Sequence, residues 1–146
     1  MNLAVPDSAT PAAVGQRVRV MIVDDAIVVR SLFSRWVEAE PDMDLVASLR
    51  TGREAVEQLE RVEPDVVVLD VDMPELDGLE ALTYIRKHTQ ARVIMLSSDT
   101  DADTMYRALA LGAVDFISKP TAGMASSITE LTELLLKKIR TAHRIS

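Results

Sequence analysis

The chain contains no cysteine. Disulfides, thiolate metal sites and cysteine nucleophiles are therefore excluded, and the composition fits a reducing compartment. Basic charge is also short: 16 Lys and Arg stand against 23 Asp and Glu, a net charge of -7. Bulk electrostatics thus argue against a nucleic-acid partner. No apolar run approaches the roughly 18 residues that span a membrane. The N-terminus has neither a basic start nor an apolar signal core. The expectation is a cytoplasmic protein with no membrane partner. Histidine is scarce, with only His88 and His143. His88 is expected at a helix end and His143 in a C-terminal tail, both solvated, so no histidine-based triad is available.

What is present is one ordinary globular domain. The 146 residues are 48% hydrophobic and 27% charged, enough for a single core but not comfortably for two. Residues 1–16 hold prolines and small residues without a period and read as a flexible leader. The domain is expected over 17–142, with 143–146 as a tail. Within it, strand and helix signals alternate. Strands are expected at Val18 to Val23, Asp44 to Ser48, Asp65 to Leu69, Arg92 to Leu96 and Val114 to Ile117. Helices are expected at Ala26 to Glu38, Gly52 to Val62, Leu79 to His88, Asp101 to Leu111 and Ser126 to Thr141. Gly112 is placed to close the fourth helix. Val66-Val67-Val68-Leu69 is apolar on both faces, as a central parallel strand covered by helices must be. Alternation of this kind predicts an α/β fold with a parallel sheet and right-handed crossovers.

In such sheets, ligands bind beyond the carboxyl ends of the strands. Polar groups fall at those ends: Asp24 and Asp25 after strand one, Asp70 and Asp72 after strand three, Ser97 and Ser98 after strand four, Lys119 after strand five. Taken singly, each has a plain structural reading as a capping acid, a loop serine or a solvated lysine. Together, the topology brings them to one cleft. Crowded acids repel, so a divalent cation would join them. Asp70, on the central strand, is the nucleophile candidate, because a carboxylate can accept a phosphoryl group as an acyl phosphate. Asp24, Asp25 and Asp70 offer hard oxygen ligands for Mg²⁺, and the backbone carbonyl of Asp72 offers another. Lys119 supplies a point charge for a phosphate oxygen, and Ser97 a hydroxyl.

The segments Val23-Asp24-Asp25, Leu69-Asp70-Val71-Asp72-Met73-Pro74-Glu75-Leu76-Asp77-Gly78-Leu79 and Ser118-Lys119-Pro120 resemble the receiver domains of two-component response regulators. The likeness covers about Arg17 to Thr141. It implies a flavodoxin-like doubly wound fold, (βα)5 with strand order 2-1-3-4-5. It implies Asp70 as phosphoacceptor, Mg²⁺ on Asp25 and Asp70, on Asp24 directly or through water, and on the Asp72 carbonyl. It makes Ser97 the switch hydroxyl and Phe116 the aromatic that reports phosphorylation, and it implies a cis bond from Lys119 to Pro120. A finer resemblance, carried by 42–47, 93–98 and 107–120, is to the receiver module of chemotaxis protein-glutamate methylesterase. That implies a chemotaxis-type histidine kinase as donor, an esterase or other output domain as partner, and a monomer or weak dimer. The Ser-His-Asp triad of the esterase domain has no counterpart here, so catalysis beyond self-phosphorylation and self-dephosphorylation is not expected of these residues. Asp72 and Asp99, near the cleft mouth, are expected to tune the lifetime of the acyl phosphate. Two other readings compete. One is a stand-alone receiver acting in a phosphorelay or as an interaction module. The other is an aspartate-nucleophile phosphohydrolase, which Asp70-Val71-Asp72 also resembles but which usually places its nucleophile strand first.

Overall fold

The computed structural model describes residues 17–73, 76–97, 102–119 and 128–145. Its elements run β1 (Val18–Val23), α1 (Ile27–Glu38), β2 (Met43–Leu49), α2 (Gly52–Val62), β3 (Val66–Asp70), α3 (Gly78–His88), β4 (Arg92–Ser97), α4 (Ala102–Ala110), β5 (Asp115–Ser118) and α5 (Ile128–His143). The five strands form one parallel sheet in the order β2-β1-β3-β4-β5. The parallel sheet is the one the strand and helix signals predict, and the doubly wound order is the one the receiver resemblance implies. The order reverses between β1 and β3, and that is where a crevice opens beyond the strand ends.

Alternation along the strands feeds two apolar layers. Val20, Ile22, Val66, Val68, Ile94 and Leu96 face α1 and α5, where Phe33, Val37, Leu135 and Ile139 meet them. Met21, Val23, Val67, Leu69, Val93 and Met95 face the other way onto Ala55, Leu59, Leu82, Ile85 and Ala108 of α2, α3 and α4. Both layers are closed, which explains why β3 carries no polar residue before Asp70: every residue of it is buried.

Local signals set the helix ends. Thr51 and Asp77 each form a capping box with the glutamate three residues on, Glu54 and Glu80. Gly112, at φ 109°, ends α4 as the sequence predicts. Its N–H bonds the Leu109 carbonyl, and the Ala113 N–H reaches back to the Ala108 carbonyl, each at 3.0 Å. That pair of bonds is a Schellman motif, and its left-handed residue favours glycine.

Boundaries differ from expectation by a residue or two. α5 continues to His143, so this histidine is the last helical residue rather than part of a tail. The cause is Ala142, which is buried in the α1/α5 layer one turn beyond Ile139. The expected leader 1–16, Ser98, Asp99 and Pro120, with the proposed cis bond to it, lie outside the described residues. No helix among the described residues is long and apolar enough to cross a membrane.

Candidate functional site

Four strand ends deliver the site. The parallel register pairs Asp70 with Leu96 and Ser97 with Ser118. Beyond the last pairs the ladder is extended by Val71 N–H to the Leu96 carbonyl, Lys119 N–H to the Ser97 carbonyl, both 2.8 Å, and Asp24 N–H to the Leu49 carbonyl at 3.0 Å. Asp24, Asp70, Ser97 and Lys119 are thereby fixed by sheet backbone rather than by loose loop.

Asp24, Asp25 and Asp70 each bring a carboxylate oxygen within 4.8 Å of the others. Asp24 and Asp70 are buried, at 0% and 1% exposure, whereas Asp25 is exposed at the rim. The Lys119 ammonium bridges the two buried acids. It donates to Asp24 Oδ1 at 3.1 Å and to Asp70 Oδ2 at 3.2 Å. Asp24 Oδ1 also accepts the Ala26 N–H at 2.8 Å, a local turn bond at the entry to α1, though α1 has no side-chain cap. Arg30 of α1 donates to the Asp24 backbone carbonyl at 2.7 Å and pins the acid loop.

The electrostatics are unbalanced. Burial, then the neighbouring Asp24 charge, push the Asp70 carboxyl up from 3.8 to about 7, against the opposing pull of Lys119 and the Asp72 N–H. That N–H donates to Asp70 Oδ1 at 3.1 Å. Burial works to lower the Lys119 pKa, but its bonds and charge contacts with Asp24 and Asp70 outweigh this and raise it, so the ammonium is fixed. One oxygen stays short of partners. Asp24 Oδ2 lies 3.0 Å from the Lys119 ammonium, yet it accepts no hydrogen bond and is buried. The nearness gives charge attraction without a directed donor, and such an atom is costly to bury. A hard cation shared by Asp24, Asp25 and Asp70 would meet both deficits, and the all-oxygen donor set suits Mg²⁺. These residues therefore fit the metal that the sequence leads one to expect.

The remaining expected residues take distinct places. Asp72 is exposed and lines the groove beside Asp25. Ser97 is buried, at 1% exposure, on the end of β4. Phe116 is half-buried on β5, opposite Met95 in the register, and packs on the layer shared by α2, α3 and α4. His88 and His143 lie at the other end of the sheet, in a groove of about 860 Å³ with Arg19 and Arg92, remote from the acids.

Sequence reasoning missed three contributors. Gly78 lets α3 start against the phosphoacceptor strand: a Cβ there would sit 2.1 Å from the Asp70 carbonyl oxygen and 2.6 Å from Val71 Cα. Its position in the Asp-Gly pair before a helix was the available signal. Thr104 and Arg107 of α4 line a groove of about 470 Å³ with Asp25, Asp72 and Asp77. Their spacing of three residues puts them on one helix face, but nothing in the sequence says which face meets the cleft.

Comparison with known proteins agrees with this geometry. Residues 20–131 match the family model described as response regulator receiver domain. The chain is 51% identical, over 145 residues, to the protein-glutamate methylesterase/protein-glutamine glutaminase of group 2 operon of Rhodopseudomonas palustris; the match covers 96% of this chain and 37% of that protein. The protein of the same description from Nitrobacter winogradskyi, without the operon label, is 52% identical over 126 residues, covering 84% of this chain and 30% of its own length. The chain thus spans about a third of the curated relatives it matches. Among solved structures, the response regulator domain of Thermotoga maritima CheB superposes with a TM-score of 0.81 at 38% identity, covering 89% of this chain and 98% of that one. The CheX-CheY-BeF3-Mg+2 complex from Borrelia burgdorferi gives 0.72 at 27% identity, covering 85% and 87%.

Proposed function

The chain belongs to the response regulator receiver domain family, and on that premise we propose that Asp70 takes a phosphoryl group from a phosphohistidine kinase of chemotaxis type. The donor's P–N bond breaks as a P–O bond forms to the Asp70 carboxylate, and the imidazole leaves with the electron pair. Asp24, Asp25, Asp70 and the Asp72 backbone carbonyl would hold Mg²⁺. When bound, the metal neutralises charge on the transferring group. Lys119 already sits between Asp24 and Asp70, where it offsets the charge that arrives. The observation that supports this reading best is the meeting of three carboxylates within 4.8 Å around a bridging lysine at the switch point of the sheet.

The acyl phosphate then acts as a signal. Ser97 moves to bond the phosphoryl group, and Phe116, only half-buried, turns inward into the space released. The surface of α4, β5 and α5 changes with it. The methylesterase relatives, which are about three times the length matched, support a protein-glutamate methylesterase domain as the output under control. The setting is the cytoplasm, and the domain runs from 17 through the end of α5 at His143.

Intact-mass measurement after incubation with Mg²⁺ and acetyl phosphate tests this reading. The expected result is one labile phosphate adduct on the wild type and none on Asp70→Asn. An adduct that survives in Asp70→Asn, or rapid continuous turnover of the donor, would contradict it. The second result would favour a phosphohydrolase.

A further inference from the structure

Asp70 is almost fully buried, at 1% exposure, and the Lys119 ammonium occupies one side of its carboxylate. Among the described residues, the open groove next to Asp70 is on the side where Asp25, Val71 and Asp72 stand. This groove, of about 470 Å³, lies beneath α4. Among the described residues, three carboxylates line it, those of Asp25, Asp72 and Asp77, and Arg107 is the one cation. The acids disfavour an incoming phosphate dianion; Mg²⁺ shared by Asp25 would lessen that, and the guanidinium would lessen it further.

Arg107 is available for that. Its carbonyl accepts the Leu111 N–H at 3.0 Å, but among the described residues its guanidinium makes no hydrogen bond and no ion pair, although it shares the groove with three acids. Several other arginines are engaged: Arg17 with Asp44, Arg30 with the Asp24 carbonyl, Arg140 with Asp42 and Glu40. A guanidinium presents a planar fork of donors that matches two phosphate oxygens at once. We propose that Arg107 binds the phosphoryl oxygens of the incoming donor in this groove and delivers the donor to Asp70.

The proposal rests on the receiver reading and names a donor-binding residue for it. The contact is to the phosphoryl group, which an acyl phosphate and a phosphoimidazole share, and not to the leaving group. The transfer itself is unchanged: the donor's bond to phosphorus breaks, the bond to Asp70 forms, and acetate or imidazole departs with the electron pair.

The test is the phosphorylation rate of the full chain against donor concentration, with acetyl phosphate and with monophosphoimidazole, in Mg²⁺. Arg107→Gln should react roughly tenfold more slowly with both donors at low donor concentration, the scale of one lost charge-assisted contact. The loss should appear as weaker donor saturation. Arg107→Lys, which keeps the charge and loses the fork, should fall between. The advantage of the wild type should shrink as salt rises. Equal rates and equal salt dependence in all three proteins would overturn the proposal and leave Arg107 as an ordinary solvated side chain. A loss confined to one donor would also overturn it, because the contact would then be to a leaving group. A wild type that takes no phosphoryl group from either donor would overturn the receiver reading along with it.

Discussion

The two ends of the sheet are built on opposite electrostatic terms. At the end where the strands begin, arginines are satisfied. Arg19 donates to the carbonyls of Glu63 at 3.2 Å and Val62 at 2.6 Å, at the end of α2. Arg92 donates to the Ile145 carbonyl at 3.0 Å, past the end of α5. Arg140 bonds Asp42 through two nitrogens, at 2.8 and 2.9 Å, and Glu40 at 2.6 Å. At the end where the strands finish, two buried carboxylates share one lysine, and one of their oxygens has no donor. The first end ties helices to strands. The second is held in an unfavourable charge state by the structure the first end helps secure, as functional sites commonly are.

The largest effect that would break this contrast lies at Asp70. Its carboxyl titrates at about 7 when folded, against 3.8 for the free group. A raised folded pKa means the folded chain holds the proton more tightly. The group therefore favours folding fully below about pH 4 and loses that contribution as pH rises through 7. Asp70→Asn has no proton to lose. In metal-free buffer it should be more stable than the wild type above pH 7, by on the order of 3 kcal/mol, and the difference should fade toward pH 4. Mg²⁺ should restore stability to the wild type more than to the variant. Urea titrations at pH 5 and pH 8, with and without Mg²⁺, measure all of this. A variant less stable at pH 8 without metal would show that the acid cluster is not frustrated.

Much of this was legible beforehand, and the failures have physical causes. The parallel sheet and its polar edge could be read because β3 is apolar on both faces and because the acids follow apolar runs; the strand order came with the receiver resemblance. The chain could not say how Asp24 and Asp25 differ. They are neighbours of one type, yet one is fully buried and the other exposed. Asp24 is held by the Leu49 carbonyl of β2 and by Lys119, far away in sequence, and no local pattern encodes those bonds. Arg107 was invisible for a similar reason, since an arginine on a helix reads as surface until the helix face that meets the cleft is known. The continuation of α5 was recoverable, because Ala142 follows Ile139 at helical spacing.

A smaller effect sharpens the other side of the contrast. Arg140→Ala removes the ties from α5 to Glu40 and Asp42. The Asp42 carboxyl is held below its usual value of 3.8, chiefly by its hydrogen bond to Arg140, with burial opposing. A lowered folded pKa contributes stability above the unfolded value and loses it as pH falls through the folded one. Asp42 is about half exposed, at 49%, so screening limits the effect to about 1 kcal/mol at neutral pH. The deficit of Arg140→Ala should narrow in denaturant titrations as pH drops below about 4. Its rate of phosphorylation by acetyl phosphate should equal that of the wild type. A change in that rate would mean the two ends are coupled.

The smallest effect lies at the same satisfied end. Glu63 caps α2 with φ 46° and ψ 63°, the left-handed region, and among the described residues it is the one non-glycine at positive φ. A side chain there costs about 1 kcal/mol relative to glycine, and part of that is offset because glycine loses more entropy on folding. What the position contributes to its surroundings is main-chain: its N–H bonds the Leu59 carbonyl at 3.0 Å and its carbonyl accepts from Arg19. Glu63→Gly keeps both bonds and relieves the strain. It should stabilise the chain by about 0.5 kcal/mol, raising the thermal midpoint by about 1–2 °C for a domain of this size. The rise should be the same with and without Mg²⁺, because nothing in this change reaches the acids. A lowered midpoint would mean that the Glu63 carboxylate, and not only its backbone, helps close the groove beside Arg19.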